Sequence, residues 1–154
     1  MSHLTIGDDV PSFEEKDEQG TVVSSTLLLG KKYILFCYPK DDTPGCTAEN
    51  CSLRDHYATL KDMGYIIYGV SPDNEKKHLK FKDKYQLPFP LIADTEARLL
   101  SALGAWGEKS MYGKKYFGVL RSTFIINEEG KLTHIIDKVD TKAHAEQIID
   151  LLKS

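Results

Sequence analysis

Apolar positions along the chain change period in an ordered way. Tyr33-Ile-Leu-Phe-Cys-Tyr38 and Tyr65-Ile-Ile-Tyr-Gly-Val-Ser71 are short, nearly continuous apolar runs, the pattern of strands covered on both faces. Between them, from Thr47 to Met63, Leu53, Tyr57 and Leu60 recur at helical spacing, and Gly64 supplies a helix stop. Ser71-Pro72-Asp73 starts a charged amphipathic helix over Asn74 to Tyr85. Leu87 to Asp94 then reads as a short strand between prolines, and Thr95 to Leu103 as a helix. Gly104 to Gly118 holds four glycines and few aliphatic residues, which predicts a loop. Arg121 to Ile126 is a strand, Asn127-Glu-Glu-Gly130 a turn, and Lys131 to Lys138 its antiparallel partner. Thr141 to Leu152 closes the core with Ala145, Ile148, Ile149 and Leu152 on one helical face. Ahead of all this, alternation around Gly20 predicts a hairpin of Phe13 to Asp17 with Thr21 to Val23, and Leu27 to Leu29 read as one helical turn ended by Gly30.

Strands that first alternate with helices, then form a hairpin followed by a helix, predict an α/β fold. Its central sheet is mixed and flanked by helices on both faces, with the N-terminal hairpin beside it. There is no internal repeat, low-complexity tract or linker, so residues 3–154 are expected to form one domain.

Composition narrows the function classes. A formal net charge of −3 and the absence of a basic arm give no reason to expect nucleic acid binding. Lys76, Lys77, Lys80, Lys82 and Lys84 form the densest basic stretch and read as the solvated face of a helix. No apolar run approaches the ~18 residues of a membrane span, and the first residues lack a basic region followed by an apolar stretch. The expectation is a cytoplasmic protein in a reducing compartment, where three cysteines point to catalysis or metal binding before a structural disulfide.

The chemistry concentrates in Pro39-Lys-Asp-Asp-Thr43-Pro44-Gly45-Cys46-Thr47-Ala48-Glu49, with Cys51 two residues on. A strand ends at a turn rich in Pro and Gly, and Cys46 sits in the first turn of the next helix. Unpaired N–H groups and the positive end of the helix dipole there favour thiolate over thiol. Cys51 lies close enough in sequence to trap an oxidised Cys46. Thr43 offers a hydroxyl three residues before Cys46, to a ligand, as a helix cap, or as both. Glu49, one turn into the helix, either orients an arginine or favours the helix dipole. Arg121 opens a core strand, where an unpaired arginine is costly to bury. It is either a strand-end arginine reaching water or a cation for the cysteine site.

Pro39, Thr43, Cys46 and Glu49 in this spacing, with Cys51 and the distant Arg121-Ser-Thr-Phe124, resemble the peroxiredoxin family and, within it, the bacterioferritin comigratory protein (Q-type) subgroup. The resemblance covers almost the whole chain and implies a thioredoxin-like fold. It implies a thiol-dependent peroxidase acting on hydrogen peroxide and organic hydroperoxides, without metal, haem or flavin. Cys46 would be the nucleophile, oxidised to a sulfenic acid, and Cys51 the resolving cysteine that forms an intramolecular disulfide. Arg121 would stabilise negative charge at the sulfur and the departing oxygen, Thr43 would contact the peroxide, and Pro39 would shield the thiolate. Thioredoxin, or glutaredoxin, would return the disulfide to the dithiol. The chain stops after its last helix with no cysteine-bearing arm, and a local resolving cysteine needs no second subunit, so a monomer is expected.

Rival readings are a thiol–disulfide oxidoreductase, a redox sensor or holdase switched by Cys46 oxidation, and a zinc site. The first normally rests on Cys-x-x-Cys, which does not occur here. Cys46, Cys51 and His56 are spaced by five, a step of about 140° on a helix, so they diverge where zinc needs convergence. Cys37 is expected in the core. Trp106 is expected either at the substrate rim or packed beneath it. His3, His78, His134 and His144 show no partner pattern and are expected at the surface.

Overall fold

The structure, a computed structural model, describes residues 4–154; His3 lies outside the described residues. In chain order the elements are β1 (Glu14–Lys16), β2 (Val22–Ser24), β3 (Lys32–Cys37), α1 (Pro44–Asp55), α2 (Tyr57–Asp62), β4 (Tyr65–Ser71), α3 (Glu75–Tyr85), β5 (Leu91–Ala93), α4 (Arg98–Ala102), β6 (Trp106–Met111), β7 (Lys114–Val119), β8 (Ser122–Ile126), β9 (Leu132–Ile136) and α5 (His144–Lys153). The central sheet has the order β5-β4-β3-β8-β9. β3, β4 and β5 run parallel; β8 and β9 are antiparallel additions, so the sheet is mixed as expected.

Alternate residues of β3 feed opposite faces of this sheet. Ile34, Phe36 and Tyr38 pack with Leu53 of α1, Leu60 of α2, Phe81 of α3, and Ala145, Ile148 and Ile149 of α5. Tyr33, Leu35 and Cys37 face the other way, onto Leu99 and Leu100 of α4 and onto Phe13 and Val23 of the N-terminal hairpin. Cys37 is fully buried, as expected, and burial holds its thiol well above the ordinary range.

Several expectations need correcting. The Thr47–Met63 helix is two helices. The His56 ring reaches the Ser52 carbonyl at 3.0 Å, the acceptor that its own N–H would use in a continued helix. The Leu87–Asp94 strand shrinks to β5, since Pro88 and Pro90 remove donors upstream. The helix predicted from Thr95 starts at Arg98, where the Asp94 carboxylate accepts from the N–H groups of Leu99 and Leu100.

The Gly104–Gly118 loop is instead the ribbon β6–β7, closed by Tyr112 and Gly113, both at positive φ as a two-residue hairpin turn requires. Its tip residues are exposed, so the alternation that marks a half-buried strand is missing. The Leu27–Gly30 segment is a set of turns without α-helix.

Gly69 in β4 has no room for a side chain: a Cβ there would lie 2.7 Å from Leu91 and 2.9 Å from Phe36. Gly69→Ala is therefore expected to cost about 1–3 kcal/mol through overpacking. Urea unfolding checks this, and an unchanged midpoint would mean that the β4–β5 layer has slack.

Candidate active site

The loop between β3 and α1 is held from both sides. Asp41 accepts from the Tyr38 hydroxyl at 2.6 Å, its N–H donates to Asp73 at 2.8 Å, and its second oxygen lies 2.7 Å from His78 Nδ1. Asp42 takes the left-handed backbone conformation and accepts from Lys84 and Tyr85 of α3, each at 2.8 Å. Lys84 and Lys82, which pairs with buried Glu18 at 3.3 Å, thus anchor structure, while Lys76, Lys77 and Lys80 are exposed. His78 is fully buried, against the surface expectation: its second nitrogen meets the Ile92 carbonyl at 3.0 Å.

α1 then opens with Pro44, which lacks the N–H that the first turn could not have paired anyway. Gly45 leaves the next position bare, so the Arg121 guanidinium comes within 3.4 Å of where its Cβ would stand. Cys46 follows, still in the first turn and 1 % exposed. Arg121, just before β8, crosses to it: Nη2 donates to Cys46 Sγ at 3.3 Å, and Nη1 donates to Glu49 Oε1 at 2.6 Å. One planar cation thus bridges a sulfur and a carboxylate, a geometry that an ammonium could not reproduce.

The sequence-predicted residues assemble unevenly around this bridge. Cys46, Glu49 and Arg121 are in direct contact. Thr43 occupies the cap position of α1, but its hydroxyl donates to the Lys40 carbonyl at 2.7 Å and makes no cap bond, which removes the capping alternative. Pro39 is half-buried at the end of β3. Cys51 lies in α1, half-buried, with its thiol raised chiefly by burial. Trp106 starts β6 and packs on the core face shared with Leu99 and Leu100, so it packs within the fold. A hollow of about 790 Å³ lies between the N-terminal hairpin, α3 and α4, and none of its lining residues belongs to the cysteine site.

Reading the sequence missed His144. It is fully buried, 3.6 Å from Glu49 Oε2 and 2.7 Å from the Thr123 hydroxyl. The only available signal was its place one residue before the apolar Ala145 at the start of α5. His134 is half-buried on β9.

Residues 6–135 match the AhpC/TSA family. Peroxiredoxin Bcp of Bacillus subtilis is 42 % identical over 150 residues, covering 97 % of this chain and 96 % of the relative. The chain is a peroxiredoxin. Its relatives place it in the bacterioferritin comigratory protein, or Q-type, subgroup: Peroxiredoxin Bcp of Escherichia coli K12 is 37 % identical over 99 % of this chain and 98 % of its own. Among solved structures, a cysteine-to-serine variant of PrxQ from Xylella fastidiosa superimposes with a TM-score of 0.92 at 29 % identity, over 99 % of this chain and 98 % of that one. Peroxiredoxin Q of Xanthomonas campestris gives 0.86 at 34 % identity, over 92 % and 89 %. The sheet and helices described above are thus those of a thioredoxin-like peroxiredoxin, and the chain is a thiol peroxidase that consumes peroxide and requires a reductant. Among the described residues, no helix is long and apolar enough to cross a membrane.

Glu49 is held by two opposed effects. Full burial raises its carboxyl, the Arg121 charge and hydrogen bond lower it, and burial wins: it titrates at about 7, up from 4.5. Between those values the folded protein binds the extra proton, so stability falls as pH rises from about 4.5 to about 7 and the full cost stands above that. His144 works the other way, since burial lowers its titration and stability rises with pH towards 6.5. Subtracting the pH–stability curve of Glu49→Gln from that of the parent should leave a fall of up to roughly 3 kcal/mol across this window. A flat difference would mean that the carboxyl is ionised throughout.

Proposed function

We propose that Cys46 is the peroxidatic nucleophile and Cys51 its resolving partner, with thioredoxin as the external reductant. The observation that carries this reading is the 3.3 Å contact from Arg121 to a sulfur shut away from solvent in the first turn of a helix. The Cys46 thiolate attacks one peroxide oxygen, the O–O bond breaks, and the alkoxide or hydroxide leaves to take up a proton. The sulfur, two electrons poorer, is left as sulfenic acid. Arg121 donates towards the sulfur as charge moves from it to the leaving oxygen. The Thr43 hydroxyl commits its proton to Lys40, so it meets a hydroperoxide O–H as an acceptor. Pro39 adds an apolar ring at the loop's start. Hydrogen peroxide and organic hydroperoxides are the substrate class. Alkyl peroxide reduction is an activity of the bacterioferritin comigratory protein of Xanthomonas campestris, which superimposes on this chain with a TM-score of 0.88 at 31 % identity.

Cys51 then attacks the sulfenic sulfur, water leaves, and a Cys46–Cys51 disulfide forms for a dithiol to reduce. Both cysteines lie in α1, where a five-residue step separates Cα atoms by ~8.6 Å. A disulfide needs about 7 Å or less, with facing Cβ vectors. The first turns of α1 therefore unwind in each cycle, exposing buried Glu49 and Asn50 and releasing the bond from Asn50 Nδ2 to the Cys46 carbonyl. A resolving cysteine within the same helix needs no second subunit, which fits a monomer.

Steady-state peroxide consumption with thioredoxin, thioredoxin reductase and NADPH tests the assignment. Cys46→Ser should abolish turnover, and Cys51→Ser should keep the first oxidation but block recycling. Sustained turnover in either variant would displace that cysteine from its role. Arg121→Lys keeps the charge but loses the fork, and should lower the second-order rate constant about tenfold or more, on the order of 1.4 kcal/mol. A rate near the parent's would remove Arg121 from the chemistry.

A further inference from the structure

Glu49 Oε2 is buried, 3.6 Å from His144 Nε2, and has no hydrogen-bond partner among the described residues. What faces it is fixed from the outside inwards. Gln147 donates its amide Nε2 to the Lys138 carbonyl at 2.8 Å, and its Oε1 accepts from the Asp140 N–H at 3.1 Å. That orients the amide, so Oε1 is an acceptor for His144 Nδ1, 2.9 Å away. Nδ1 therefore carries the hydrogen, and in a neutral ring Nε2 presents its lone pair. It receives the Thr123 hydroxyl at 2.7 Å and turns the same edge to Glu49. An ionised Glu49 would set a full negative charge against the electron-rich edge of a neutral ring with both side chains fully buried; a proton on the Glu49 carboxyl removes that charge.

We propose that His144 is a positioning residue of the peroxidase site, keeping a proton on Glu49 so that the Arg121 charge is directed to Cys46. With Glu49 neutral, the guanidinium and a Cys46 thiolate balance one another; with Glu49 ionised, the same cation is divided between two anions and the cluster carries a net negative charge. Other polar or titratable groups facing the pair are Thr123 on β8, Cys37 on β3, Asp140 before α5, and Gln147 one turn into α5. Burial of both partners favours the neutral pair over an ion pair, and the directions of the two titrations agree: Glu49 is raised and His144 lowered. The role rests on the proposed chemistry at Cys46, but its primary readouts do not require turnover.

Infrared difference spectroscopy of the full-length reduced protein, titrated from pH 5 to 9, should show a protonated carboxyl band that is absent in Glu49→Gln. Nitrogen-15 NMR should show His144 as a neutral Nδ1–H ring, with Nε2 shifting at the same midpoint as that band and losing this shift in Glu49→Gln. His144→Leu removes the lone pair and frees the Thr123 hydroxyl to donate to the carboxylate. The carboxyl midpoint should then fall by about one pH unit, a tenfold change in its ionisation ratio. The rate constant of the first oxidation at pH 7 should fall about threefold or more. Absence of the Glu49 band in the parent at pH 6, or an Nε2 shift that ignores its titration, overturns the proposal without need of any His144 variant. An unmoved midpoint in folded His144→Leu would reduce His144 to packing. If the linked titration appears but another cysteine is oxidised first, the assignment of Cys46 fails and the proton pair stands.

Discussion

Arg121 carries a charge that cannot be titrated away, and its side chain is three-quarters buried between a sulfur and a carboxylate that both can be. Burying a guanidinium without partners costs more than a small domain can spare, so the surrounding structure must supply anions or hydrogen-bond acceptors. Glu49 supplies one at 2.6 Å and Cys46 the other at 3.3 Å. The geometry of the fold follows from this need. β8 brings Arg121 to the edge of α1, Gly45 clears its path, and Pro44 starts the helix so that Cys46 and Glu49 stand one turn apart on the side facing it.

The same helix meets two conflicting demands. It buries Cys46, Glu49 and Asn50 and keeps the bridge intact; the proposed local disulfide would require it to release them. Asn50 shows how finely this is balanced. Its amide nitrogen holds the Cys46 carbonyl, yet its buried Oδ1 has no partner among the described residues. Such a half-satisfied group lowers the cost of opening the turn. The loop behind it is different: Asp41 and Asp42 are tied to Tyr38 just after β3, to Asp73 in the turn after β4, and to His78, Lys84 and Tyr85 of α3 by five contacts of 2.8 Å or shorter. In the proposed cycle, unwinding would thereby be confined to α1, with the preceding loop as its anchor.

Much of this was legible in the residues. The two apolar runs became β3 and β4, the Arg121 segment became β8, and the Cys46 motif stood where a strand turns into a helix. What escaped the reading depended on partners remote in sequence. His78 and His144 look like isolated polar residues on helices, and nothing local says that Asp41 or Glu49 lies beside them. The β6–β7 ribbon pairs through its backbone with little burial, so its hydrophobic pattern carried no signal. The break at His56 comes from one side chain competing for a carbonyl. Thr43 stands at the start of α1, but its hydroxyl is turned to the Lys40 carbonyl and does not cap the helix.

The order in which the three cysteines oxidise tests the central claim most directly. Reduced protein would be mixed with one equivalent of hydrogen peroxide, quenched at increasing times with a thiol-blocking reagent, and each cysteine followed by peptide mass spectrometry. Cys46 should oxidise first in a single fast phase, Cys51 should be consumed only as the Cys46 sulfenic acid disappears, and buried Cys37 should stay reduced. Oxidation of Cys51 or Cys37 ahead of Cys46, or of all three at one rate, would contradict the account.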